Sequence, residues 1–294
     1  MLTNGGRDIR ANGSNVASEK TAIVLTAGGS RGALEVGAVL ALLEHGTQPT
    51  MLVGASVGAF NAAAIAADPT VEGVRRLARS WVEVAKRGLA PSRPRMAWRM
   101  LTRRDGLVSS DKLKRLIEEH IPEGARHFYD MEDVELYIVA ANLNTTHMHV
   151  FGLDESDSVV DAVMASMALP PYFAPWSYRG QQYIDGMILI DVPVRVALNQ
   201  GADEVWTVDL SRSSRARHNI RGPLNVLKRS IRIMGEQHTP SELEYSGEAE
   251  HEQHRIRHIV VEEFTDVPFW DFSRTSEMID EGHRIAANSL RDRH

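Results

Sequence analysis

The feature that most narrows the fold is a strand-turn-helix unit that occurs twice near the start of the chain. Thr21 to Thr26 is a short apolar, β-branched run that leads into Ala27-Gly28-Gly29-Ser30-Arg31-Gly32, and Ala33 to Glu44 has the length and residue types of a helix. After Gly46, a helix stop by position, Met51 to Ala55 repeats the strand pattern, Ser56 marks a turn, and Val57 to Ala67 reads as helix. Strands that alternate with helices pair in parallel, because the crossover carries the chain back to the same end of the sheet. The expectation is an α/β fold: a three-layer α/β/α sandwich around a central, mainly parallel sheet.

The rest of the chain extends this pattern. Helices are expected from Asp68-Pro69-Thr70 to about Arg87 and from Ser109-Ser110-Asp111 to His120, with Asp and Ser where helix N-caps are favoured. Val134 to Asn142 and His147 to Phe151 read as a pair of strands, Ser158 to Met167 as a helix stopped by Pro170-Pro171, and Gln181 to Ile184 as a strand running into Asp185-Gly186. A helix at Val192 to Gln200 and a buried strand at Glu204 to Leu210 follow. Beyond Ser211 the chain turns polar, with helices expected at Pro223 to Met234, Glu242 to Gln253 and Thr275 to Leu290 and a strand at Ile256 to Val261 that can return to the sheet. The expected division is a disordered leader at 1–20, a catalytic domain at 21–210, and a mainly helical extension at 211–294.

Composition excludes several classes of function. A formal net charge of −6 gives no support for nucleic-acid binding, which needs a basic surface. The absence of cysteine excludes disulfides, thiolate metal sites and a cysteine nucleophile. The polar start, Met1 to Lys20, lacks the apolar stretch of a Sec-type signal, so the expected location is cytoplasmic. The longest uncharged run, Thr47 to Ala67, is broken by Pro49 and a turn, and reads as strand, turn and buried helix and not as a membrane span.

Chemistry concentrates at Gly54-Ala55-Ser56-Val57-Gly58, which fits G-x-S-x-G between a strand and a helix. Such a turn pushes the serine out of the sheet, and its flanking glycines relieve crowding. The following helix directs its positive end at the serine. By itself the pattern is equally compatible with a small-residue packing turn. Gly28, Gly29 and Gly32 add backbone N–H groups that can approach a substrate oxyanion without a Cβ in the way. This loop does not fit a dinucleotide fingerprint, because Ser30 stands where the second glycine must be, and it lacks the Gly-Lys-Ser/Thr of a P-loop.

Four ordered motifs together resemble the patatin-like phospholipases: Ala27-Gly28-Gly29-Ser30-Arg31-Gly32, Gly54-Ala55-Ser56-Val57-Gly58, Ala165-Ser166-Met167-Ala168-Leu169-Pro170 leading to Phe173 and Pro175, and Tyr183-Ile184-Asp185-Gly186. The resemblance spans Thr21 to Leu210. It implies a lipid acyl hydrolase with Ser56 as nucleophile, Asp185-Gly186 supplying the second dyad member, Gly54 and Gly58 shaping the elbow, and Gly28, Gly29, Ser30, Arg31 and Gly32 forming the oxyanion hole. No cofactor or metal is implied. Ala27, Met187 and Asp191 depart from the family pattern, and none of the three removes a catalytic group.

An aspartate with an ordinary pKa near 3.9 is a poor base for a hydroxyl, so the dyad requires a buried Asp185 hydrogen-bonded to Ser56. None of the 12 histidines lies in these motifs. His251 and His254 have helical spacing, but no third metal ligand accompanies them. Arg93, Arg95, Arg99, Arg103 and Arg104, interleaved with Met96, Trp98, Met100 and Leu101, suit either an amphipathic helix packed on the core or peripheral contact with an anionic membrane. Two other functions compete with lipid acyl hydrolysis. One is a general esterase or thioesterase with a Ser-Asp-His triad, whose elbow belongs deeper in the chain. The other is a non-catalytic lipid-binding domain, which has no need of both Ser56 and Asp185.

Overall fold

The computed structural model describes residues 19–87, 98, 106–190, 192–210, 220–222, 226, 227, 229–231, 233, 234 and 254–291. The elements that build the site are β1 (Thr21–Leu25), α1 (Gly32–Glu44), β2 (Met51–Ala55) and α2 (Val57–Ala66). They are followed by α3 (Val71–Arg87), α4 (Ser110–His120), β3 (Glu135–Asn142), β4 (Met148–Phe151) and α5 (Val159–Ser166). The remainder comprises β5 (Trp176–Tyr178), β6 (Gln181–Asp185), α6 (Val194–Asn199), β7 (Glu204–Asp209), β8 (Arg255–Val260) and α7 (Thr275–Arg291).

Hydrogen-bonded neighbours run β5-β6-β3-β2-β1-β7-β8, and β4 pairs with β3 in addition. From β3 through β2, β1 and β7 to β8 every pairing is parallel, while β4, β5 and β6 join antiparallel. Side chains alternate between two cores, as strand geometry requires. In β1, Ile23 and Leu25 enter one core and Ala22 and Val24 the other. The first core is closed by α1, α2, α3, α4, α5 and α7, and the second by α6. The sandwich is therefore three-layered, with a mixed sheet that is mostly parallel.

The register on β3 has one consequence for the site. β2 pairs with Glu135 through Val139, β4 with Ile138 through Ala141, and β6 with Ala140 through Asn142. A strand has two edges, and β4 overlaps both β2 and β6, so β2 and β6 share the opposite edge end to end. β2 stops at Ala55 beside Val139, and β6 arrives from the other direction and stops at Asp185 beside Ala140. The two C-terminal ends face one another.

Glycines permit a second close approach. A Cβ on Gly37 of α1 would overlap the Ile279 carbonyl of α7, and one on Gly282 of α7 would overlap the Leu34 carbonyl of α1. α7 thus lies directly against the helix that carries the glycine loop at its start. Among the described residues, no helix is long and apolar enough to cross a membrane.

Three expectations need comment. Trp176–Tyr178 forms a strand that the pattern did not reveal. The helix expected from Val192 begins at Val194, after Pro193. Of the helix expected at Pro223 to Met234, residues 226, 227, 229–231, 233 and 234 are helical, while Glu242 to Gln253 lies outside the described residues.

Candidate active site

Ser56 sits at the junction of β2 and α2 with φ 56° and ψ −125°, a conformation that costs a non-glycine residue on the order of 1–3 kcal/mol. Its neighbours explain how the fold enforces it. A Cβ on Gly54 would approach the Gly58 carbonyl oxygen to 2.5 Å, and one on Gly58 would approach the Leu25 carbonyl oxygen to 2.6 Å. α2 therefore rests on β1 and β2 with no space for side chains at these two positions, and the chain between them must turn sharply. Ser56 stands at the N-terminus of α2, where the helix dipole favours negative charge.

Ser56 Oγ donates a hydrogen bond to Asp185 Oδ2 at 2.6 Å. Both residues are buried, Asp185 completely. Burial pushes the Asp185 carboxyl up to about 7, against the opposing influence of hydrogen bonds from Ser56 and from the Met187 amide at 3.0 Å. A carboxylate with that affinity for a proton can accept one from a hydroxyl near neutral pH far better than an ordinary aspartate. Gly186 is required for the same close packing: a Cβ there would lie 2.5 Å from the Val139 carbonyl oxygen.

Ser166, at the end of α5, fills the junction between the two strand ends. Its hydroxyl accepts the Ser56 amide N–H at 2.8 Å and donates to the Val139 carbonyl at 2.6 Å. Ser166 lies within the motif ending in Leu169-Pro170, yet nothing in the motif indicates this double bond.

In the glycine loop, Gly29 has φ +59°. The amide N–H groups of Ser30 and Arg31 donate to Phe269 O at 2.9 Å and Gly28 O at 3.2 Å. That of Gly32 donates to the carbonyls of Gly29 and Ser30. No acceptor among the described residues takes the N–H of Gly28 or Gly29. The loop is anchored from below by Glu35, a completely buried carboxyl that accepts from the Thr26 amide at 2.6 Å and from Asn61 Nδ2 at 2.8 Å. Burial raises Glu35 to about 8, with the hydrogen bond from Asn61 as the main opposing influence. Asn61 Oδ1 in turn accepts from Trp81 Nε1 at 3.0 Å. Neither Glu35 nor Asn61 belongs to a motif, and a polar residue on an otherwise apolar helix face was the available signal.

Ser56 opens into a pocket whose empty space, counted out into the solvent at its open mouth, is about 700 Å³. Its lining is almost wholly apolar and includes Phe60, Leu77, Trp81, Val84, Leu113, Phe173 and Phe269. His120 also lines it, with its Nδ1 2.7 Å from Leu116 O and its ring against Phe60. Among the described residues no group of three or more His, Asp or Glu side chains could hold a metal, and His251 lies outside them. Of the basic stretch Arg93 to Arg104, Trp98 alone is described, and it is exposed.

The chain belongs to the patatin-like phospholipase family, whose profile matches residues 23–198, well over half of the 294 residues. Lysophospholipase NTE1 of Lodderomyces elongisporus is 25% identical over 197 residues, which make up 66% of this chain and 13% of that protein. Patatin-like phospholipase domain-containing protein 6 of Homo sapiens is 25% identical over 193 residues, 64% of this chain and 13% of that protein. This chain therefore matches only a small part of the length of these curated relatives. A solved structure of the heterodimeric ExoU-SpcU complex of Pseudomonas aeruginosa shares the fold, with a TM-score of 0.50 and 16% identity over 94% of this chain and 52% of that one.

Proposed function

We propose that this chain is a lipid acyl hydrolase that cleaves carboxylic esters through a Ser56-Asp185 dyad. The observation that carries the reading is the 2.6 Å hydrogen bond between Oγ of Ser56, which lines an apolar pocket, and the buried Asp185. Family membership and the names of the relatives, a lysophospholipase among them, support lipid substrates.

In this reading the apolar pocket takes an acyl chain and brings its ester carbonyl to Ser56. Ser56 Oγ attacks the carbonyl carbon as its proton passes to Asp185 Oδ2, so that charge never builds fully on the serine. The oxyanion is received by the amide N–H groups of Gly28 and Gly29, a narrower set than the full loop from Gly28 to Gly32, because Ser30, Arg31 and Gly32 donate within the protein. Collapse of the tetrahedral intermediate expels the alcohol, which takes the proton back from Asp185. Water then attacks the acyl-serine as its proton passes to Asp185, and Asp185 returns that proton to Ser56 Oγ as the acyl–oxygen bond breaks and the fatty acid leaves. Hydrolysis of a monoacyl phospholipid by wild type, and its loss in Ser56→Ala, tests the proposal. Unchanged release of fatty acid by Ser56→Ala would refute it.

A further inference from the structure

The family match ends at residue 198, yet Phe269, Trp270 and Phe272 line the same pocket as Ser56. These residues form a strap that is tied to the glycine loop. Ser30 donates its amide N–H to Phe269 O at 2.9 Å and its hydroxyl to Pro268 O at 3.0 Å. The Phe269 ring lies over Gly29 so closely that a Cβ on that glycine would overlap it.

The strap is itself held from three directions. Phe269 stacks on Tyr172 at 6.3 Å and an interplanar angle of 5°, and Trp270 meets Tyr172 edge-on at 5.4 Å. Phe272 packs against Trp81 of α3 at 6.1 Å. The Phe272 carbonyl accepts from Thr275 Oγ1 at 2.7 Å, which joins the strap to the start of α7 and so to the helix crossing at Gly37 and Gly282.

We propose that this strap, Pro268 to Phe272, completes the reaction centre, with Ser30 as a positioning residue and Phe269 as a specificity-determining residue. Glycine-rich backbone has several conformations available to it, and a site for an oxyanion needs one. Ser30 spends both of its donors on the strap, so it offers none to a substrate and acts by fixing Gly28 and Gly29 beside it. Phe269 closes the pocket next to Gly29 and sets which acyl chains lie flat along that wall. The inference rests on Ser56 as the nucleophile.

The test uses the full chain and p-nitrophenyl esters from butyrate to palmitate, with rates divided by the concentration of sites titrated with a fluorophosphonate. Ser30→Ala is expected to lower kcat about tenfold, less than the loss of an oxyanion donor itself, with KM little changed and with rescue by Ser30→Thr. Phe269→Ala is expected to change the order of preference among chain lengths. If Phe269→Ala does not fold, Phe269→Leu replaces it. An unaltered kcat in Ser30→Ala together with an unaltered chain-length order would overturn the proposal. Failure of wild type to form an adduct at Ser56 would instead overturn the function proposed above, and the strap would then be judged on fatty-acid binding by Ser56→Ala. A preference between octanoate and palmitate that is unaffected by adding Phe269→Ala would overturn it there as well.

Discussion

Ser166 Oγ lies 2.8 Å from the Ser56 amide nitrogen and 2.6 Å from the Val139 carbonyl oxygen, one hydroxyl serving the gap where β2 and β6 meet end to end. Among the described residues both sheet neighbours stop here, and Ser166 supplies an acceptor for the Ser56 amide and a donor for the Val139 carbonyl.

Ser166→Ala should leave two buried backbone groups unpaired, each costing about 1–3 kcal/mol. The strained backbone at Ser56 loses a restraint in the same change, so turnover should fall along with stability. Urea unfolding beside steady-state kinetics checks this. A midpoint equal to wild type would mean that the junction is held by something other than Ser166.

Asp185 should govern the pH dependence of hydrolysis. With its carboxyl raised to about 7, the base is protonated in acid, so kcat/KM should climb as pH passes through about 7 and level off above it. Asp185→Asn should lose about a hundredfold or more in turnover and lose this limb with it. No His→Ala change, His120 included, should produce a loss of that size. A profile flat from pH 5 to 9 would remove Asp185 from the role of base.

Glu35 makes a separate prediction about stability. Its folded pKa of about 8 exceeds the ordinary 4.5, so the folded state holds the proton more tightly than the unfolded state. Its favourable contribution is complete below about pH 4.5 and is lost as pH rises toward 8. Wild type should therefore lose stability relative to Glu35→Gln between these limits, by an amount on the order of a few kcal/mol. Parallel slopes of unfolding free energy against pH for the two proteins would contradict the buried-carboxyl assignment.

At the helix crossing, two effects of known size oppose each other. Alanine is favoured over glycine inside a helix by about 1 kcal/mol, but a methyl group on Gly37 would collide with the Ile279 carbonyl, and overpacking costs typically about 1–3 kcal/mol. A backbone atom cannot swing aside as a side chain can, so Gly37→Ala should lower the thermal midpoint. A raised midpoint would show that α1 and α7 can separate at little cost.

What could be read from the sequence was whatever chemistry writes into a short stretch of chain. A sharp strand-to-helix turn needs glycines beside it, and Gly54 and Gly58 stand two residues either side of Ser56. Alternating strands and helices implied the parallel sheet, and β1 and β2 lie where the β-branched runs placed them. The supports of the site were not legible, because they act across long sequence separations. Ser166 reaches back to Ser56, Asn61 and Glu35 meet between α2 and α1, and the strap returns from residue 268 to Ser30. A serine that bonds two distant backbone groups looks locally like any helical serine. β5 was missed for a simpler reason: three residues are too few to show alternation.

The central claim is that Ser56 becomes covalently acylated with Asp185 as its base. A fluorophosphonate reacted with wild type, Ser56→Ala and Asp185→Asn, followed by peptide mass spectrometry and adduct-formation rates, addresses it most directly. The predicted result is a single adduct on Ser56 in wild type, none in Ser56→Ala, and formation in Asp185→Asn slowed by about a hundredfold or more. An adduct on another residue, or equal rates in wild type and Asp185→Asn, would contradict the account.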